Sequence, residues 1–480
     1  DLLNNTYFDG VNIDLLDTDI SEDEIIKALK KLKSGKSAGN DEIVGEMFSS
    51  CPSFFAPILK TLFNSIFAIG VYPENWTECL VIPVPKSGDL TSPINYRPIL
   101  LVSILSKLFT SILTDRLLSW SQDENHIIDN QFGFQPGRST VDAIFTLHGI
   151  ISHTIRQKLK LYCSFVDFRR AFDKVDRRIL IYKLLKSGVS SKFVSMVNSI
   201  YSSVRLRVRS GGVLSEAFDN HLGVKQGEPL SPLLFLFFIN DIIQDISTDV
   251  NEDVISLNGI LIYLILFADD TVLFGKTPTV LQHLFDKLLL YCNKWNIEVN
   301  ADKTKVVVFR NGFRPVDTNF YYDNKELQVV NSYVYLGVLL HYNGKFLHTQ
   351  KRLAQQGSRA MSSLMNSLKQ FFITPEEQMF LFDSMVGSVL GYASEIWGFH
   401  RAKDIELIHN RFCRFVLKLG RNVPTCFLYG ELGHLPLFIV RKQKILKYWL
   451  HIITNKPKVV YDVYKLLYDD AINGYVNWAS

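Results

Sequence analysis

The chain has 480 residues, 47% of them hydrophobic and 21% charged, which is enough apolar material for several folded subdomains and argues against a disordered chain. Lysine and arginine outnumber aspartate and glutamate by 52 to 48, a net charge of +4 that is too small to identify a nucleic-acid partner unless the basic residues cluster. Six scattered cysteines with no CxxC pair fit reduced core thiols of an intracellular protein, so no disulfide is expected. Apolar runs such as PLLFLFFI are shorter than the roughly 20 residues of a spanning helix, so no membrane partner is expected. The chain opens on Asp1 rather than methionine, as a piece of a longer polypeptide would.

In chain order, SEDEIIKALKKLKSGKSAGND (21–41) predicts a helix with Ser21 as N-cap, Glu24 closing a capping box, Ile25, Leu29 and Leu32 on one stripe, and Gly35 at its stop. The GKS that follows is not a phosphate loop, because Lys30 stands where that motif needs glycine and the loop follows a helix instead of a strand. Residues 71–100 hold many of the 16 prolines and predict edge strands and turns. Helical spacing resumes in SKLFTSILTDRLLSWSQ. LYCSFVD (161–167) predicts a strand, and Asp173 and Asp176 stand where N-caps belong ahead of RRILIYKLLKSG. SVRLRVRSGG alternates strictly, so Arg205, Arg207 and Arg209 share one strand face. Two readings stay open there: a solvated edge shielded by positive charge, or a row of phosphate contacts. Leu281, Leu284, Phe285, Leu288, Cys292 and Trp295 follow helical spacing and predict a helix packed on a sheet. Beyond Tyr335 the pattern turns helical, with Lys351, Arg352, Arg359 and Lys369 near its start. The division expected is 1–70, 71–340 and 341–480, with a boundary near 341.

The chemistry centres on ILIYLILFADDTVLF (260–274), where Asp269 and Asp270 sit between two apolar strands. An adjacent pair is either a hairpin bend or a cation site, since bare carboxylates are costly to bury. SFVDF ends another apolar strand at Asp167, so carboxylates from two strand ends can converge. Three such groups repel unless divalent ions lie among them, and oxygen-only ligands favour magnesium or manganese. Two ions about 3.5–4 Å apart suit in-line phosphoryl displacement, which makes nucleotidyl transfer the leading chemistry. His409, Cys413, Cys426 and His434 match no zinc-finger spacing and read as buried thiols and a satisfied histidine.

Eight blocks then appear in order: LKSGKSAGNDEI, VIPVPKSGD with NYRPILL, QFGFQPGRST, SFVDFRRAFDKVD, GVKQGEPLSPLLFLFFINDI, LFADDTVLF, VNADKTKVVVF and YVYLGVLL. Together they resemble the reverse transcriptase of a non-LTR, LINE-type retrotransposon of the jockey or a related clade. The resemblance implies an α+β right-hand polymerase with fingers, an antiparallel palm sheet backed by helices, and a helical thumb. It implies that Asp167 and Asp269 ligate two Mg2+ or Mn2+ ions, with Asp270 and the Phe168 carbonyl in support. It implies that Lys86 and Arg97 clamp the incoming deoxynucleoside triphosphate, that Gln226 and Gly227 lie against it, and that Lys303 stands near its pyrophosphate, with Lys305 expected on the same strand face. Phe172 occupies the place where related RNA polymerases carry an aspartate for the ribose 2′-OH, which implies a preference for deoxynucleotides; Asp173, one residue on, is expected to cap its helix. Tyr335, Leu336 and Gly337 match the primer-grip turn, and Arg205, Arg207 and Arg209 are candidates for template or primer contacts. The implied partners are an RNA template, a DNA primer or target, and an endonuclease domain upstream of Asp1. The implied setting is the nucleus for target-primed synthesis and the cytoplasm for assembly with RNA. Two alternatives remain: a group II intron maturase or retron-like polymerase, and a decayed element that binds RNA without catalysis.

Overall fold

The computed structural model describes residues 12–86, 88–123, 125–246, 255–257, 260–312, 317–399 and 402–480. They form an α+β fold of two compact units, each built from separated stretches of chain. The first comprises Asp1–Phe134, Phe168–Thr248 and Lys287–Val299, and the second Gln135–Asp167, Asp249–Asp286 and Asn300–Ser480. These interleaved units do not follow the three consecutive segments drawn from the sequence.

In the first unit the helix Glu22–Lys30 carries the expected capping box between Ser21 and Glu24. It closes at Lys31, before Gly35, which lies in a left-handed bend further on (φ 70°). Glu24 also binds the buried Arg116 of helix Ile104–Asp123 through Nε at 2.6 Å and Nη2 at 3.0 Å, which ties the two helices together. A five-stranded sheet joins Tyr96–Leu101, Glu78–Pro85, Val204–Ser210 and Val213–Leu214 in that order, with Phe218–Asn220 also on Val204–Ser210. The proline-rich strand Glu78–Pro85 is not an edge strand. Its residues 78–81 pair with 205–208 on one side, while Pro83 and Pro85 fall where only the Tyr96–Leu101 side is paired, so their missing N–H groups cost no ladder bond.

Val204–Ser210 likewise lies inside the sheet, parallel to 78–81 and antiparallel to 218–220, which corrects the solvated-edge reading. Its arginines do share a face, but Arg205 pairs with Asp219 at 3.9 Å and Arg207 with Glu78 at 3.4 Å.

Helix Pro52–Ile69 is long and apolar enough, by length and composition, to cross a membrane, a feature the search for long apolar runs missed. Its Ala56, Leu59, Phe63, Ile66 and Phe67 are buried, and Phe63 meets Trp76 and Phe109 edge-on or tilted, as in a helix packed on a core.

The second unit is organised around a six-stranded sheet in the order Phe320–Tyr322, Lys325–Val329, Lys305–Phe309, Leu161–Val166, Asp270–Gly275, Leu264–Phe267. All neighbours are antiparallel except Lys305–Phe309 with Lys325–Val329. Leu161–Val166 is buried at every position, the continuous apolar run expected of a central strand. Helix Thr140–Arg156 packs against Lys458–Ile472 at Gly149, where an added Cβ would stand 2.3 Å from Val463 Cγ1. Helix Pro278–Trp295 begins in this unit and continues into the first after Asp286; all six residues of its predicted stripe are buried, and Phe285 meets Phe320 of the sheet. The chain after Ser332–Tyr335 and Val338–His341 is helical, as its periodicity predicts.

All six cysteines are free; Cys79, Cys163, Cys292 and Cys413 are buried, whereas Cys51 and Cys426 are exposed.

Candidate active site

In the second unit, strand Leu161–Val166 delivers Asp167 at its end, and the antiparallel register sets Thr271 opposite Val166. One step on, that register carries Asp270 towards Asp167. Asp270 also pairs with Phe267 across the hairpin, leaving Ala268 and Asp269 as its two-residue loop. Ala268 has φ 56°, the left-handed backbone a tight hairpin demands and a side chain disfavours. The bend and the carboxylate site are therefore the same feature.

The three charges interact. Burial, then Asp269, then Asp167 push the Asp270 carboxyl up from 3.8 to about 6. The Asp270 residue lies at the exposed rim of the sheet, with its carboxyl end the part that burial and the neighbouring aspartates act on. Burial first, then Asp270, raises both the Tyr333 and Tyr335 phenols, and Asp167 adds to the effect at Tyr333. Their rings pack on Phe165 of the central strand, with centroids at 4.3 and 5.6 Å.

The backbone around Asp167 is held on both sides. Its N–H donates to Thr304 Oγ1 at 3.2 Å, and its carbonyl accepts from Asn300 N–H at 2.7 Å. Lys303 is exposed in the turn between these residues, whereas Lys305 opens the next strand and bonds the Asp302 carbonyl. The two lysines therefore do not share a strand face as the sequence reading had it.

Tyr335 and Val338 pair across a two-residue hairpin whose Leu336 (φ 43°) and Gly337 (φ 84°) are both left-handed. Tyr392 Oη donates to the Leu336 carbonyl at 2.8 Å, and Arg352 donates to the Gly337 carbonyl at 3.2 Å. Tyr335 itself is 2% exposed, so the ring lies in the core and only the Leu336–Gly337 backbone forms the turn.

Among the described residues no group of three or more His, Cys, Asp or Glu could hold a metal ion by itself. The donor chemistry of Asp167, Asp269 and Asp270 nevertheless fits a hard divalent cation, because all three supply carboxylate oxygen and they share one end of the sheet.

The first unit holds the remaining predicted residues. Phe168 is buried and bridges to Val299, and Arg169 N–H bonds the Glu298 carbonyl. The Phe172 ring stacks on Phe235 at 4.4 Å and meets Phe134 edge-on at 6.2 Å. Lys86 and Arg97 are exposed at the far ends of paired strands. Both act electrostatically on Asp173, as does Arg170, although burial is the larger influence and leaves the Asp173 carboxyl raised.

Asp173 is not a helix cap. It accepts from Gln226 Nε2 at 2.6 Å, and Asp176 alone caps Arg177–Lys186, because helical backbone begins only after Asp176. Gly227 has φ 118°, and a Cβ there would lie 2.5 Å from the Leu100 carbonyl oxygen, so glycine is required.

Sequence reasoning missed Tyr333, Thr304 and the Asp173–Gln226 bond. Alternation in SYVYLG could have flagged Tyr333, but the other two depend on contacts across more than 50 residues.

A largely antiparallel sheet thus carries aspartates at a strand end and at the neighbouring hairpin. The chain belongs to the family described as Reverse transcriptase (RNA-dependent DNA polymerase), which its residues 84–340 match. It is 27% identical to the probable RNA-directed DNA polymerase from transposon BS of Drosophila melanogaster, over 86% of this chain and 46% of that protein. It is 25% identical to the RNA-directed DNA polymerase from mobile element jockey of the same species, over 79% of this chain and 41% of that protein. These are relatives of the non-LTR kind that the sequence blocks resemble, and the chain spans somewhat under half of their length. Among solved structures, apo telomerase from Candida tropicalis aligns over 86% of this chain and 72% of that one, at 13% identity and a TM-score of 0.40.

Proposed function

We propose that this chain is the polymerase portion of a non-LTR retrotransposon protein, an RNA-directed DNA polymerase that adds deoxynucleotides to a primer 3′-OH on an RNA template. The observation that carries this reading is the strand register that brings Asp167, Asp269 and Asp270 to one end of the second unit's sheet. Asp167 and Asp269 would hold two Mg2+ or Mn2+ ions, supported by Asp270 and the Phe168 carbonyl. Such ions supply Lewis-acid stabilisation of the attacking and leaving oxygens.

The chain's own residues supply the rest. Thr304 and Asn300 fix the Asp167 backbone and so the aim of its carboxylate. Lys86 and Arg97 offer cationic partners to a triphosphate, and Gly227 lets backbone approach the nucleotide closely. Phe172, held by Phe235, closes the space a ribose 2′-OH needs. Lys303, exposed beside the Asp167 anchor, serves as a proton donor to the leaving pyrophosphate. Synthesis primed at a genomic nick in the nucleus, with an endonuclease domain elsewhere in the polypeptide, completes this reading.

Primer extension on an RNA template with magnesium tests it. The wild-type chain should incorporate deoxynucleotides, and the Asp269→Asn Asp270→Asn variant should not. A wild type that binds RNA but shows no metal-dependent incorporation sinks the proposal.

A further inference from the structure

Beneath the Gln226–Gly227 turn lies a charge pair that the polymerase reading does not use. Lys225 and Glu228 have side chains 1% and 0% exposed, with Nζ and Oε1 3.9 Å apart. Neither of those two atoms has a hydrogen-bond partner. The other Glu228 oxygen is bonded: it accepts from Tyr201 Oη at 2.8 Å and from Ser231 Oγ at 3.3 Å. Lys225 Nζ sits over the rings of Tyr72 and Tyr201, 5.2 and 5.5 Å from their centroids.

A buried and under-bonded ion pair is a poor source of stability, because desolvation offsets most of its attraction. Its geometry instead constrains the turn. Glu228 N–H closes back on the Lys225 carbonyl at 3.2 Å, so the pair and this bond span the same four residues. In addition, Leu100 N–H donates to the Gln226 carbonyl at 2.8 Å, Val224 N–H to the Phe172 carbonyl at 2.9 Å and Gly223 N–H to the Val175 carbonyl at 2.8 Å. The Gln226 amide is aimed by Asp173. The backbone bonds link the turn's Gln226 to Leu100 and its neighbour Val224 to the Phe172 backbone.

We infer that Lys225 and Glu228 are positioning residues that set the height of the Gln226–Gly227 turn, and through it the fit of the incoming deoxynucleotide. This rests on the polymerase reading above, and the test separates the two. The whole chain is assembled with an RNA template and a DNA primer ending in a dideoxynucleotide, so that a deoxynucleoside triphosphate binds without reacting. Its Kd and that of the matching ribonucleotide are then measured.

Glu228→Gln keeps an acceptor for Tyr201 and Ser231 but strands Lys225. It should raise the deoxynucleotide Kd roughly tenfold and narrow the deoxy-to-ribo preference, with primer–template affinity unchanged. Adding Lys225→Met removes the stranded charge and should return Tm towards wild type while leaving the Kd raised. If Glu228→Gln binds as wild type does, or if the double variant recovers Tm and Kd together, the pair is only structural and the inference is overturned. A wild type that does not bind the triphosphate overturns it as well. Extension from an ordinary primer tests the polymerase reading by itself: pair-dependent binding without extension contradicts that reading and leaves the positioning role standing.

Discussion

Each aspartate of the site is set by a different local cause, so substitutions should separate them. Asp167 is anchored through Thr304 and Asn300, Asp269 is a loop residue of the hairpin, and Asp270 opens the following strand. Asp269→Asn should lower incorporation by about 10³-fold or more, as loss of a metal-binding charge in phosphoryl transfer does, and Asp270→Asn by a smaller factor. Single-turnover rates check the order; a more severe Asp270→Asn reverses the assignment. Phe172 makes a second case at this scale. Its ring is stacked on Phe235 and cannot swing aside freely, so Phe172→Ala should raise the kcat/KM for ribonucleotides relative to deoxynucleotides by one or two orders of magnitude. An unchanged ratio would place the sugar discrimination elsewhere.

At the scale of elements, helix Lys403–Val416 carries His409, which is fully buried and bonds His434 at 3.0 Å; His434 in turn meets Asp383 at 3.0 Å. Burial first, then His434, lowers the His409 imidazole from 6.5 to about 4, whereas the hydrogen bond that His434 donates to Asp383 is the first cause that raises the His434 imidazole. A lowered histidine means the unfolded chain takes up the proton first. The His409 contribution is therefore fully present above pH 6.5 and lost as pH falls towards 4. The His434 contribution has the opposite sign: it is present below 6.5 and lost as pH rises through the raised value. Acidification from pH 7 to 5 should thus weaken this helical region, by at most a few kcal/mol, and His409→Gln should flatten that slope in urea unfolding. A wild-type slope that survives the substitution assigns the acid sensitivity elsewhere. The helix Leu347–Leu368 presents Gln355, Ser358, Arg359 and Ser362 along one open groove. If that groove follows a nucleic-acid backbone, Arg359→Ala should weaken binding equally for all sequences and reduce the salt slope by about one.

For the whole molecule, the chain passes between its two units after Phe134, Asp167, Thr248, Asp286 and Val299. Such interleaving means that no single cut releases either unit. Helix Lys458–Ile472 covers helix Thr140–Arg156 at Gly149, so a chain ending at residue 340 should expose that seam and lose cooperative unfolding. A soluble, cooperatively folding 1–340 would instead support the consecutive division drawn from the sequence. Gly149→Val probes the same contact within the full chain and should cost about 1–3 kcal/mol through overpacking.

Local rules were enough for much of this. The capping box at Ser21 and Glu24, the Asp176 cap, the stripe of helix Pro278–Trp295, the buried strand before Asp167 and the Asp269–Asp270 bend all follow from neighbours a few residues apart, where backbone geometry fixes the periodicity. Tertiary structure decided what such neighbours cannot: that Asp173 binds Gln226 instead of capping a helix, that the arginine strand is interior, that Tyr335 turns inward, and that Lys225 and Glu228 are buried together. Charge and exposure belong to surroundings assembled from distant chain, and a residue's own segment does not carry them. The aspartates and their possible convergence were legible in the sequence; the register that carries Asp270 towards Asp167, and the burial and neighbouring charge that raise the Asp270 carboxyl, exist only once the two strands meet.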